Sequence, residues 1–446
     1  MQYEISDHKT QLSCHSCMIQ EAFTMFENHP REIARIAVAG CSGRGMSLIP
    51  LLLEMEDVRV TAVCDPYPDR AEAAAEEVKK VYGTACPSYT DHKKMMEQED
   101  IDGVIISTSW AAHCAVAIDA MRAGKYAAIE CGGGSSMDEL WDLVRTSEAT
   151  GVPCMAMENC CYDRNEMAIY NMIRQGFFGE IVHVEGGYGH DLRDEISYGR
   201  ENRHYRFDNY KYRNAELYPG HAIGPMSKYL HINRGNRMVS LVSMASKARG
   251  LNAFLAKEKG PDYDMTGYPW NEGDVVQTMI RCANGETMLL THDTTLPRYY
   301  SRFGKVQGTR GLWQEEGSRI FYDGCTVKEG SWDHKPLDFA PFYEQYAHPL
   351  WKWFEQEGVK GGHGGMDWLV LRAFAESILA GTACPTDVYD AAAWMAVTVL
   401  SEQSIACGSA PVAFPDFTSG KWIHREPYLR TKYCLDEVCD DQFEQE

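Results

Sequence analysis

No stretch of this 446-residue chain is apolar for long enough to cross a bilayer, and its polar start, MQYEISDHKTQ, has no signal-peptide core. Both absences argue against a membrane or exported protein, so the cytoplasm is the expected compartment. Positive charge is also in short supply. Only 43 Lys and Arg stand against 64 Asp and Glu, a formal charge of -21. A nucleic-acid surface or an anionic membrane needs clustered cations, so neither is an expected partner. Internal repeats and low-complexity segments are absent too, which excludes a solenoid or a disordered scaffold. Sixteen cysteines are present, but they are scattered, and Cys64, Cys114 and Cys282 lie within apolar runs. Reduced thiols packed as small hydrophobes are expected there, with no disulfide framework. Cys14 and Cys17 form a C-x-x-C, and Cys434 and Cys439 lie near the other end; a zinc site joining them is one reading of a weak motif.

What the chain does have is a stretch around which the rest is organised, IARIAVAGCSGRGM at 33–46. Ile33, Ile36 and Val38, with alanines between, make an apolar run broken only by Arg35, as in a parallel strand covered on both faces. Gly40, Ser42 and Gly45 occupy the three places of G-x-G-x-x-G. The first glycine makes the turn, the last lets helix pack on strand, and the helix start receives a pyrophosphate. Here the middle place is Ser42, with Gly43 beside it. A second β-branched run, 58–63, ends at Asp65, twenty residues beyond Gly45, where an acid accepts ribose hydroxyls and repels a 2′-phosphate. NAD is the expected cofactor. The alternative is a doubly wound domain whose glycines are structural only.

Strand and helix then alternate: helix 68–82, strand 101–106, helix 110–123, strand 126–129, helix 137–149 and strand 152–157. That alternation predicts a parallel sheet with helices on both faces, and ligands beyond the carboxyl ends of its strands. Asp65, the segment 107–113, Glu130 with Cys131, and Glu158 with Asn159 follow those strands. After a helix at 164–175 the pattern changes to alternating strands at 181–188, 238–244, 275–282, 287–293, 302–308 and 318–322. A helix at 221–233 and a polar loop at 189–220 interrupt them; helices at 365–380 and 388–406 close the chain. The expected fold is an α/β Rossmann domain plus an α+β domain with a mostly antiparallel open sheet. Its divisions are an N-terminal extension at 1–30, the NAD-binding domain at 31–160, a substrate domain at 161–384 and a C-terminal helical segment at 385–446 packing back on both.

On these features the chain resembles the Gfo/Idh/MocA oxidoreductase superfamily. Its sugar dehydrogenases carry Glu-Lys-Pro after the fifth strand, whose lysine helps take the hydroxyl proton; this chain has Glu130-Cys131-Gly132. The closer resemblance is to glycoside hydrolase family 109, NAD-dependent α-N-acetylgalactosaminidases and their relatives. It is carried by GRG at 43–45, W-x-x-H at 110–113, ENCCYDR at 158–164, GGYGHDLR at 186–193, LYPGHAIGP at 217–225, YLHINRG at 229–235 and PRYYSRFGKVQGTRG at 297–311. Three features depart from the family's pattern: a serine at 42 for its usual glycine, a glycine at 220 for its usual threonine, and a short loop between Tyr188 and Arg206. The resemblance implies that Gly43, Arg44, Asp65, Trp110, His113, Glu130 and Asn159 line NAD, together with Gly40 and Ser42 of the turn. It implies that Glu158, Tyr188, Arg206, Tyr218, His221 and Tyr300 surround the sugar.

The chemistry implied is glycosidic cleavage by transient oxidation at C3, elimination across C1 and C2, water addition and re-reduction, an exception to the usual pair of carboxylates. Such a site needs one base near the 3-hydroxyl and another near C2. His221, at a helix start, suits the first by type; Tyr188 is the candidate for the second, with Tyr218 beside them. An ordinary amphipathic contact is the alternative for Tyr188, and a solvated ion pair with an acid such as Asp208 is that for Arg206. His190 and Asp191 lack a third ligand at recognisable spacing, so no catalytic metal is expected. Two other classes remain open. One is a sugar or cyclitol NAD-dependent dehydrogenase with net redox; the other is a non-catalytic sugar sensor. A homo-oligomer is expected by analogy with the superfamily.

Overall fold

The computed structural model describes residues 30–325, 334–425 and 430–443. The expected N-terminal extension, with Cys14 and Cys17, lies outside the described residues except for its last position. Strands β1 (Ala34–Ala39), β2 (Val58–Cys64), β3 (Ser88–Tyr89), β4 (Gly103–Ile106), β5 (Tyr126–Glu130) and β6 (Cys154–Met157) form a parallel sheet in the order β3-β2-β1-β4-β5-β6. Ile36 and Val38 are wholly buried in β1, each contributing about 1.5–3 kcal/mol of apolar burial. Arg35, the one break in that run, turns its guanidinium onto Asp102, with Nε and Nη2 at 2.9 and 2.7 Å. That pairing also explains why the third long strand begins at Gly103 rather than at Ile101.

Beyond β6 the chain builds a second sheet of nine strands: β7 (Ile181–Gly189), β8 (Met238–Ala245), β9 (Val275–Cys282), β10 (Thr287–Asp293), β11 (Lys305–Gly308), β12 (Gly311–Gln314), β13 (Arg319–Tyr322), β14 (Leu337–Asp338) and β15 (Val412–Ala413). All its pairs are antiparallel except β7 with β10. The helix Val388–Ala406 opens with a capping box between Asp387 and Asp390, is buried around most of its circumference and touches strands of both sheets. It is a strut between the two halves.

Several elements differ from the sequence expectation for physical reasons. The polar loop 189–220 contains two short helices, Arg193–Ser197 and Arg206–Tyr212, whose Ile196, Phe207 and Tyr210 are buried in a separate aromatic cluster. The helix expected to reach residue 233 ends at Tyr229, because His231 and Asn233 take left-handed backbone with φ of 53 and 65°. The strand expected from residue 302 begins at Lys305, after Phe303 at φ 54°. The helices Gly250–Glu258, Ala340–Tyr346 and Pro349–Glu357 and the strand β12 had no counterpart in the sequence reading.

Candidate active site

The turn after β1 brings three backbone segments close together. Gly40 has φ of 92°, and a Cβ there would stand 2.4 Å from the Ser107 carbonyl oxygen; a Cβ on Gly45 would stand 1.9 Å from that of Gly40. Gly43, in contrast, faces open space. Ser42 takes the N-cap position of the eleven-residue helix Gly43–Leu53, yet its hydroxyl makes no cap bond, so the first-turn N–H groups stay available. Asp65 lies at the end of β2 with one carboxylate oxygen accepting from Cys41 N (2.8 Å) and the other from Tyr67 N (3.0 Å). Each oxygen keeps a lone pair for a ribose hydroxyl. A cleft of about 590 Å³ runs past Gly40, Ser42, Asp65, Tyr67 and Ser107. It adjoins a second of about 430 Å³ lined by Glu130, Cys131, Asn159, Tyr188, Tyr218 and His221. Ser42, Ser107 and Thr108 line both.

A polar network borders the second cleft. Arg44 donates from Nε to Glu130 Oε1 (2.8 Å) and from its two terminal nitrogens to Asp367 (2.8 and 3.0 Å). Asn159 donates to the same Asp367 carboxylate at 2.7 Å, and its own Oδ1 is buried with no partner among the described residues. Burial works against the Asp367 charge, but His363 and Arg44 outweigh it and hold the carboxyl well below its usual range. His113 donates from Nε2 to the Thr108 carbonyl (3.0 Å), while its buried Nδ1 is unpartnered; burial lowers it to about 4, so it is neutral. The unpartnered Asn159 Oδ1, His113 Nδ1 and Trp110 Nε1 are the polar groups a bound dinucleotide would be expected to meet.

The second cleft is centred on His221, second residue of the helix Gly220–Tyr229. Its Nδ1 is 2.7 Å from Glu158 Oε1, which also accepts from Cys160 N at 3.1 Å. The Cys131 thiol donates to the other oxygen, Glu158 Oε2, at 2.9 Å. Burial pushes Glu158 up, but the imidazole, by charge and by hydrogen bond, holds it below the usual range. An ionised carboxylate only accepts, so Nδ1 is the donor, and in the neutral ring this tautomer leaves the Nε2 lone pair free. A Cβ at Gly220 would sit 2.5 Å from Glu158 Oε2, and one at Gly224 would sit 2.6 Å from its Cγ. Those glycines are what admit the carboxylate beneath the ring.

Aromatic rings wall the cleft. Tyr218 lies 4.9 Å and Tyr188 5.5 Å from the His221 ring, centroid to centroid. Tyr188 Oη is 2.9 Å from His190 Nδ1, and burial raises the phenol to about 12 against the opposing Arg206. Arg206 is buried, with its guanidinium 5.0 Å from the Trp110 ring and 4.9 Å from that of Tyr218. Its acid partner is not Asp208: Glu195, on the short helix inside the former loop, lies 2.7 Å from its Nε. Tyr300 is half exposed at the rim, 6.3 Å from Tyr188. Asp191 accepts from Arg193 Nε at 2.8 Å and Nη2 at 2.6 Å.

Residues 162–424 match the family model of the glycosyl hydrolase 109 C-terminal domain, and residues 34–157 match that of the oxidoreductase family with an NAD-binding Rossmann fold. The chain belongs to glycosyl hydrolase family 109. It is 41% identical over 418 residues to a glycosyl hydrolase family 109 protein of Stenotrophomonas maltophilia (strain K279a), covering 88% of this chain and 91% of that one. It is 39% identical over 416 residues to the alpha-N-acetylgalactosaminidase of Tannerella forsythia, covering 88% of each. Among solved structures, an inositol dehydrogenase homolog complexed with NAD+ from Azotobacter vinelandii superposes with a TM-score of 0.63 at 18% identity, over 87% of this chain and 99% of that one. That likeness is one of fold. This family 109 member is thus a glycoside hydrolase whose cofactor is NAD.

Sequence reasoning missed Asp367, Glu195 and His363. The signal for Asp367 was in plain view: GGHGG at 361–365 directly ahead of a helix, with Gly361, His363, Gly364 and Gly365 all at positive φ. A run that spends so many residues on left-handed backbone marks a tight loop delivering the next helix start, and Asp367 occupies its first turn.

Proposed function

We propose that this enzyme cleaves N-acetylgalactosaminides or related glycosides by transient oxidation at C3, with the nicotinamide end of NAD beside Glu130 and Asn159 and the sugar between His221, Tyr188 and Arg206. The observation that carries the reading is the 2.7 Å pair between His221 Nδ1 and the buried Glu158 carboxylate. It leaves Nε2 as a base in a cleft that no lysine lines among the described residues. The chemistry supplied there by bound NAD would be reversible hydride acceptance within one turnover. His221 takes the proton of the 3-hydroxyl as that carbon is oxidised, and Glu158 stabilises the imidazolium formed. The resulting ketone acidifies the hydrogen at C2, which Tyr188 receives. Burial keeps the Tyr188 phenol protonated, at about 12, so its own proton passes to His190 as the C2 proton arrives, and the Arg206 charge offsets part of that burial. Tyr218 closes the aromatic wall and keeps water from the reacting face.

Expressed by function, residues 31–160 hold the cofactor, 161–384 hold the sugar, and 385–446 lock the two together; Asp367 and Val388–Ala406 cross between these roles. We place the enzyme in the cytoplasm on the support of its described cysteines, all free thiols. The exposed Met244 and Met279, which share one face of the second sheet, support a homo-oligomer joined through that face. The formal charge of -21 supports small glycosides rather than nucleic acid as partners.

Cleavage of nitrophenyl glycosides in D₂O tests the mechanism. Deuterium at C2 of the released sugar, no accumulation of NADH and inertness of the 3-deoxy substrate are expected. His221→Ala should slow C3 oxidation and cleavage together, by about 10²- to 10⁴-fold. Rapid cleavage of the 3-deoxy substrate would return Glu130 and Glu158 to a conventional acid and base pair.

A further inference from the structure

We infer that Cys131, Glu158 and His221 form an inhibitory site for one thiophilic divalent cation, zinc being the natural probe. Their donor atoms, Sγ, a carboxylate oxygen and an imidazole nitrogen, all lie within 4.8 Å of one another. Sγ is 2.9 Å from Glu158 Oε2 and Nδ1 is 2.7 Å from Oε1, the two oxygens of one carboxylate. A tetrahedral zinc sits about 2.3 Å from sulfur and about 2.0 Å from nitrogen and oxygen, so its ligands lie roughly 3–4 Å apart. The thiol-to-imidazole edge therefore closes by no more than about an ångström, and the cleft supplies room for water as a fourth ligand.

The chemistry is a replacement of protons by metal. In the metal-free site two protons are directed at Glu158, one from the thiol and one from Nδ1. On binding, the Cys131 S–H bond breaks, a sulfur–metal bond forms and that proton leaves to solvent. The imidazole gives its Nδ1 lone pair to the metal, and its proton moves to Nε2. Nothing is oxidised or reduced. A thiolate and a carboxylate then balance the two charges of the cation, although burial keeps the thiol protonated without it.

The consequence concerns the base. With Nδ1 on metal, Nε2 carries hydrogen and can no longer accept one, so the tautomer that His221 needs is reversed. Two local features make this possible. Cys131 stands where sugar dehydrogenases of the superfamily place a lysine, and Gly220 has no Cβ, which would stand 2.5 Å from Glu158 Oε2.

The inhibitory part rests on His221 acting as base; the binding part does not. Holoenzyme would be titrated with chelator-buffered zinc for activity and, separately, with Co²⁺ for a thiolate-to-cobalt charge-transfer band. We expect inhibition that a chelator reverses and a band of one equivalent, lost in Cys131→Ala and Cys131→Ser. In both variants the zinc concentration giving half-inhibition, each referred to its own metal-free rate, should rise at least about tenfold. Gly220→Ala, which displaces Glu158 while leaving every ligand present, should weaken zinc similarly. NAD retention checks that each variant is folded. A cobalt band unchanged in Cys131→Ala, or no band in the wild type, overturns the site. A band that depends on Cys131 without inhibition supports the site and overturns His221 as base.

Discussion

Replacing Glu158 by glutamine isolates the charge beneath His221 with little change of shape. The environment decides how the amide lies. The Oε1 position accepts from the backbone N–H of Cys160 at 3.1 Å, a donor that cannot turn, whereas the Oε2 position faces the Cys131 thiol, whose hydrogen can rotate away. The amide oxygen therefore stays beneath Nδ1 and its NH₂ group points at the sulfur. The imidazole keeps its tautomer, so the base is present but its imidazolium is no longer stabilised by a full charge. A hydrogen bond to a charged partner is worth about 1.5–3 kcal/mol against about 1 for a neutral one. Losing most of that difference as the proton arrives on Nε2 predicts a fall in kcat of about 3- to 30-fold, at about 1.4 kcal/mol per decade. KM should move less, because the charge on Glu158 is called on chiefly as the imidazolium forms. Initial rates on a nitrophenyl glycoside give both constants, and retained NAD confirms an intact site. A variant with wild-type kcat would refute the reasoning. So would a loss that appears only in KM, since it would make Glu158 a sugar contact instead of the support of the base.

Three further outcomes follow from other parts of the chain. Asp65→Ala should raise the dissociation constant of NAD by about 10- to 100-fold, the worth of charge-assisted bonds to ribose, and calorimetry showing unchanged affinity would remove Asp65 from the site. Asp367→Asn should loosen Arg44 and Asn159 together and cost roughly tenfold in NAD affinity, or about 1.4 kcal/mol; full NAD retention after purification would count against it. Glu216 is buried with Oε1 3.5 Å from His292 Nδ1, and burial raises it to about 8 against a backbone hydrogen bond from Tyr218. An unfolded glutamate titrates near about 4.3, so between that pH and about 8 the folded state holds the extra proton and stability falls as pH rises. Glu216→Gln should flatten that fall and be the more stable protein at pH 9. Equal slopes of urea midpoint against pH in the two proteins would contradict it.

How much could be read from the sequence depended on whether the signal was local. The parallel sheet was legible because each of its long strands is a short buried run and the glycine turn after β1 has a fixed spacing. His221 was legible by its motif and its place at a helix start. What holds His221 was not. Glu158 is 63 positions away and lies beneath the ring with both oxygens engaged by His221, Cys160 and Cys131. Arg206 fared similarly: the nearest acid in sequence was Asp208, but helix geometry turns neighbours two apart to different sides, and the partner is Glu195 from another short helix. Those helices were hidden because their few apolar residues serve an aromatic cluster rather than a periodic face. Asp367 is the sharpest case, since 323 residues separate it from Arg44. Spacing can find residues that share a turn or a helix face. The residues that orient them come from elements the fold alone brings together, and in this enzyme those decide whether the imidazole is a base, a metal ligand or merely a buried ring.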